Sequence, residues 1–136
     1  MALKGLFRNK KTTSERTPPA KEDWPTHMKT LDQKGFDDFI EKYPVSLVDF
    51  YSPFCGPCKT MTSRLRNLSK DYKYRVAFAK IDVTENQELA KRFKIMSVPH
   101  MMVFSYGKKV GTMMGKKDVP TLTKVLDKVL AEVEKG

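Results

Sequence analysis

The sequence predicts an α/β fold, a central mixed sheet of five strands flanked by four helices, and three observations predict it. Strand-like and helix-like hydrophobic periods alternate along the chain. One strand-like run, 45–51, is apolar almost throughout, as in a strand buried on both faces. The last two strand-like runs are separated by the turn residues Tyr106-Gly107. Alternation calls for parallel crossovers and the closing turn for an antiparallel hairpin, so the sheet is mixed and helices cover both faces.

The elements follow in order. Residues 1–22 are basic and polar, include Pro18-Pro19 and keep no sustained period, which reads as a flexible leader; the folded domain is expected over 23–136, beginning near Trp24. Residues 28–31 suit a first strand. Asp32 is placed to cap a helix carrying Phe36, Phe39, Ile40 and Tyr43, and Pro44 stops it. The run 45–51 is β-branched and aromatic, which makes Asp49 within it conspicuous. A helix then opens at Cys55, with Pro57 in its first turn and Met61, Leu65, Leu68 and Tyr72 on one face.

Residues 76–82 form another strand, and Thr84 with Gln87 three residues on reads as a capping box for a short helix carrying Leu89 and Phe93. Residues 101–104 and 109–114 make the hairpin. Met96, Met101, Met102, Met113 and Met114 lie on or beside these strands and read mostly as core filling, with adaptable methionines at the rim of a partner-binding site as the alternative. A last helix from about Asp118 presents Val119, Leu122, Val125, Leu126, Val129, Leu130 and Val133 as one apolar stripe.

The chain has 136 residues, 40% of them hydrophobic and 31% charged, enough for one domain with a real core. It carries 26 Lys and Arg against 16 Asp and Glu, a net charge of +10. In the first 21 residues Lys4, Arg8, Lys10, Lys11, Arg16 and Lys21 face Glu15 alone, so about half of that charge sits on the leader. Such a tail attracts anionic partners at long range, but no aromatic-basic motif accompanies it, and a solvated tail without specific nucleic-acid binding is expected. No apolar run is long enough to span a membrane, and the N-terminus lacks the hydrophobic stretch of a secretory signal. The cytoplasm is the expected location. An organelle is the alternative, since residues 1–17 are acid-poor and hold two Arg and several Ser and Thr, as transit peptides do.

Cys55 and Cys58 are the only cysteines. A bridge across two intervening residues constrains almost no chain, so the pair serves chemistry rather than stapling. A structural zinc site needs four ligands, and only His27 and His100 could join the cysteines, far apart and in no ligand motif; no metal is expected. Disulfide exchange needs one ionised, reachable thiol and a second that can release it. Cys55 at a helix N-terminus meets free N–H groups and the positive end of the helix dipole, with Lys59 adding a nearby charge. Cys58 faces it from one turn further into the protein.

The segments Val48-Asp49-Phe50-Tyr51, Phe54-Cys55-Gly56-Pro57-Cys58-Lys59 and Val98-Pro99, together with Gly107 and Gly115, resemble the thioredoxin family, with spacings that match over about 28–134. The resemblance implies a thioredoxin fold, Cys55 as attacking nucleophile and Cys58 as resolving cysteine. It implies that Asp49 is a buried carboxylate beneath the thiols that accepts the proton of Cys58. Burial independently raises the pKa of such a group toward neutrality. Pro99 matches the family's cis-proline, which sets the Val98 backbone beside the disulfide to pair with an extended substrate; Phe54, Val98, Pro99 and Gly115 are the expected substrate-binding positions.

Gly56-Pro57 between the cysteines favours a reductant, because oxidases and isomerases of this kind usually carry a His there. The resemblance further implies no bound cofactor, disulfide-containing proteins as substrates, electrons from a flavin-dependent or ferredoxin-linked thioredoxin reductase, and a monomer.

Three positions depart from the family. Phe54 replaces a Trp, keeping an apolar platform without the indole N–H. Ser63 replaces a helix-kinking Pro, so a straighter helix is expected. His100 replaces the Thr after the cis-proline. A ring beside the thiols would tune Cys55 as it titrates, and a packed ring would not. Two alternatives to a general protein-disulfide reductase stand beside it: a partner-specific exchanger, whether oxidase, isomerase or dedicated electron donor, with Phe54, His100 and the leader setting recognition, and a non-catalytic binding subunit on the same fold.

Overall fold

A computed structural model describes residues 16–135. Its strands are β1 (Lys29–Leu31), β2 (Ser46–Tyr51), β3 (Ala77–Asp82), β4 (His100–Ser105) and β5 (Lys108–Met114). Its α-helices are α1 (Gln33–Lys42), α2 (Gly56–Asp71), α3 (Gln87–Arg92) and α4 (Val119–Lys135). The element order and the mixed five-stranded sheet agree with the expected fold. The sheet order is β1-β3-β2-β4-β5, with β1, β3 and β2 parallel and β4 antiparallel to both β2 and β5.

The register around the central β2 sets up everything that follows. Asp49 lies opposite Lys80 of β3 and Met101 of β4, while Phe50 lies opposite Ile81 and His100. Side chains alternate between faces along a strand, so odd positions of β2 turn toward one layer of helices and even positions toward the other. On the first face, Leu47, Met101 and Val103 pack with Met61 and Leu65 of α2 and with Leu122 and Leu126 of α4. On the second, Val48, Phe50, Met102 and Phe104 pack with Phe36 and Ile40 of α1 and Leu89 of α3. Each fully buried side chain of this size contributes about 1.5–3 kcal/mol.

Helix boundaries follow local chemistry. Asp32 caps α1 by accepting from the Gly35 N–H at 2.9 Å, and the Asp118 carboxylate accepts from Thr121 N–H at 2.9 Å ahead of α4. The start of α3 departs from the expected capping box. Thr84 instead turns back on Asp82, donating from both its N–H (2.8 Å) and its hydroxyl (2.6 Å), and Asn86 takes the N-cap position. A side chain from another helix serves the first turn: the Glu88 N–H donates to Gln33 Oε1 at 3.0 Å, while the Gln33 N–H donates to Asn86 Oδ1 at 3.0 Å.

The expected leader lies outside the described residues over 1–15. Its remainder is attached to the domain: Lys21–Asp23 forms a 3-10 turn, the buried Trp24 indole donates to the Pro19 carbonyl at 3.0 Å, and the Arg16 guanidinium stands 4.9 Å from the centre of the Tyr106 ring. The methionines divide. Met101, Met102 and Met113 are core, as expected, but Met96 and Met114 are exposed.

Candidate active site

The site forms where β2 ends and α2 begins. After Tyr51 the chain turns sharply, the Cys55 N–H donating to the Ser52 carbonyl at 3.3 Å and the Phe54 N–H to the Ser52 hydroxyl at 3.3 Å. Cys55 is the N-cap of α2 and Pro57 sits in the first turn, where a missing N–H costs nothing. Cys55 and Cys58 are joined as a disulfide, their Cα atoms 5.2 Å apart.

Two contacts aim at the Cys55 sulfur. The Cys58 backbone N–H donates to Sγ at 3.1 Å, the bond a capping oxygen would normally accept, and the Val98 carbonyl oxygen lies 3.8 Å away. An N–H donor and a helix N-terminus both favour negative charge on that sulfur once the disulfide opens. Cys55 is half-buried and Cys58 is buried at 1% exposure, so only the first is open to a large partner. Lys59 is exposed on the helix, as are Gly56 and Pro57.

Asp49 is completely buried in β2, on the sheet face that α2 covers. Thr62, one turn after Cys58 and therefore on the same side of α2, donates its hydroxyl to Asp49 Oδ2 at 3.3 Å; Oδ1 has no partner. Burial pushes the Asp49 carboxyl up to about 7, against the opposing pull of the Thr62 hydrogen bond and of the Lys80 ammonium on the neighbouring strand. Near neutrality it is therefore able both to hold and to take a proton.

The Val98-Pro99 bond is cis, and Pro99 is buried at the mouth of β4. Gly115 folds over it with φ of +83°, a conformation open to glycine, and donates its N–H to the Pro99 carbonyl at 2.8 Å. Phe54, 91% exposed, stands next to Cys55. The structure thus brings Phe54, Cys55, Cys58, Val98, Pro99 and Gly115 to one end of the sheet.

His100 takes the packed one of its two expected positions rather than one that tunes Cys55. It occupies an even position of the register, opposite Phe50, so its ring turns to the α1/α3 side of the sheet. There it is 7% exposed, its Nε2 lies 2.8 Å from the Thr112 hydroxyl, and burial together with the nearby Lys109 charge lowers its pKa. It does not share the layer of Asp49 and α2.

Sequence reasoning also missed Thr62 and Lys80. Lys80 interrupts an apolar strand just as Asp49 does, and the same logic would have found it. Thr62 follows Cys58 by one turn, a signal visible only once the helix is known to lie over Asp49.

The thioredoxin family model matches residues 27–128. The chain belongs to the thioredoxin family. A thioredoxin of Staphylococcus haemolyticus is 40% identical over 96 residues, which cover 71% of this chain and 91% of that protein. One from Staphylococcus aureus is 39% identical over 95 residues, covering 70% and 90%. Among solved structures, a mutant thioredoxin from Halobacterium salinarum superposes with a TM-score of 0.74 at 30% identity, covering 79% of this chain and 94% of that one. A thioredoxin from Plasmodium falciparum does so with 0.69 at 32%, covering 74% and 98%. With its cysteine pair in place, this thioredoxin-family chain is a thiol-disulfide oxidoreductase.

Proposed function

We propose that the chain reduces disulfides in other proteins, cycling between the Cys55/Cys58 dithiol and disulfide. The observation that carries the reading is the asymmetry of the pair: a half-exposed sulfur held by an N–H at a helix start, and a buried sulfur on the helix above a carboxyl that exchanges its proton near neutrality. The Cys55 thiolate attacks one sulfur of the substrate disulfide, forming a mixed disulfide and releasing the other substrate sulfur as a thiol. Cys58 then gives its proton to Asp49 and attacks Cys55, closing the internal disulfide and freeing the second substrate thiol.

Phe54 offers the partner an apolar surface, and the backbone of Val98 beside Pro99 and Gly115 offers hydrogen-bonding groups to an extended segment. Gly56, Pro57 and Lys59 act on the potential of the pair through the helix start. Two electrons return the disulfide to the dithiol, supplied by a thioredoxin reductase. A reductant of this kind works in a compartment that keeps thiols reduced, the cytoplasm, where it contributes to electron transport and cell redox homeostasis. The proton and sulfur chemistry needs no bound cofactor, and the chain acts as a monomer.

Equilibration in graded thiol-disulfide buffers, with free thiols counted by mass, tests this. A potential near about −270 mV, typical of thioredoxins, is expected. One above about −200 mV would make the chain an oxidant or isomerase instead.

A further inference from the structure

Five of the seven methionines in the described residues are buried: Met28, Met61, Met101, Met102 and Met113, none more than 7% exposed. The other two are Met96 at 92% and Met114 at 60%, and with Phe54 at 91% they are the three most exposed large apolar side chains among the described residues. All three belong to the disulfide end. Met96 lies in the loop that leads to Val98, whose carbonyl is 3.8 Å from Cys55 Sγ. Met114 ends β5 opposite His100, immediately before Gly115, whose N–H donates to the Pro99 carbonyl.

Exposed apolar groups gathered at one place mark a contact surface, and thioether side chains make that surface adaptable. They also make it oxidisable. We propose that Met96 and Met114 are peroxide-modifiable sites through which oxidation weakens docking of protein substrates while leaving the cysteine chemistry intact. This rests on the protein-disulfide reductase reading above.

The step balances without the cysteines. The thioether sulfur attacks the O–O bond of a peroxide and takes one oxygen; sulfur loses two electrons, the peroxide gains them and leaves as water or an alcohol. The side chain changes from apolar to strongly polar in the patch that a partner must cover. The buried methionines are shielded, and with the cysteines joined as a disulfide no free thiol competes.

The test oxidises the full chain in its disulfide form with hydrogen peroxide, removes the oxidant and regenerates the dithiol with dithiothreitol. Peptide masses then locate the added oxygen, and single-turnover rates are measured with insulin as a protein disulfide and with dithiobis-nitrobenzoate as a small one. Among the methionines of the described residues, sulfoxide should appear first at Met96 and Met114. The insulin rate should fall about threefold to tenfold, and the small-disulfide rate should change by less than about twofold. The double variant Met96→Leu, Met114→Leu should give the same insulin rate before and after peroxide.

Equal oxidation of buried methionines, an unchanged insulin rate, or an equal loss in the double variant would each overturn the proposal while leaving the reductase reading in place. Failure of the untreated dithiol to reduce insulin at all would overturn both.

Discussion

Asp49 and His100 sit in adjacent strands, one register position apart, and face opposite ways. Both are buried, and burial pushes both toward the neutral form: the carboxyl up to about 7, the imidazole below its ordinary value. Their surroundings then diverge. Asp49 lies under the helix that carries both cysteines, with one oxygen held by Thr62 and the other unpartnered. His100, which also has one unpartnered buried atom, Nδ1, lies in the other layer beside Phe50 with Nε2 close to Thr112. A perturbed pKa alone does not mark a working group. The side of the sheet decides which of two similar residues can serve the thiols.

The largest effect that would break this comparison is expected from Asp49→Asn. An amide cannot take the Cys58 proton, so resolution of a mixed disulfide at pH 8, followed by stopped-flow release of a substrate thiol, should slow by about 100-fold. A loss under threefold would leave Asp49 no part in proton transfer.

Stability gives a second contrast, of opposite sign for the two residues. The folded state raises the Asp49 pKa from 3.8 to about 7, so it binds more protons than the unfolded chain between those values. The stability this group lends is complete below 3.8 and is lost as pH rises to about 7. Replacing it by Asn should therefore stabilise the chain at pH 8 by up to roughly 4 kcal/mol, and by little at pH 4, in denaturant titrations. His100 works the other way: its pKa is lowered by folding, so its cost grows as pH falls below the ordinary imidazole value. Stabilisation by Asp49→Asn that is equal at both pH values would contradict a raised native pKa.

Thr62 sharpens the comparison further. Its hydroxyl favours the ionised Asp49, so Thr62→Val should move the pH midpoint of resolution upward by up to about one unit, and Thr62→Ser should restore it. An unmoved midpoint in the Val variant would reduce the 3.3 Å contact to packing. The smallest effect is expected from His100→Thr: the midpoint should stay where it is and the rate should change less than about twofold, since the ring lies in the other layer.

Much of this site was legible in the sequence because its signals are local. A lone carboxyl in an apolar strand, two cysteines at a helix start with a proline in the first turn, and a Val-Pro pair before a strand all announce themselves within a few residues. What stayed hidden depends on pairing between distant segments. The side of the sheet that His100 faces follows from its registration against Phe50, 50 residues away in sequence. The first turn of α3 is served by Gln33 from α1, which no capping pattern near Thr84 could reveal. Met96 and Met114 belong to the same hydrophobic class as their buried neighbours, and only the ends of their strands and loops leave them in solvent.

The most direct test of the central claim is an NMR titration of the reduced chain that follows the Asp49 side-chain carboxyl carbon and the His100 ring together, beside the pH dependence of mixed-disulfide resolution. Asp49 is expected to titrate near 7 with the rate rising through the same midpoint, and His100 to titrate lower without tracking it. If Asp49 titrates in the ordinary carboxylate range, or the rate follows the His100 ring, the carboxyl is not the proton acceptor and the account of the two faces fails.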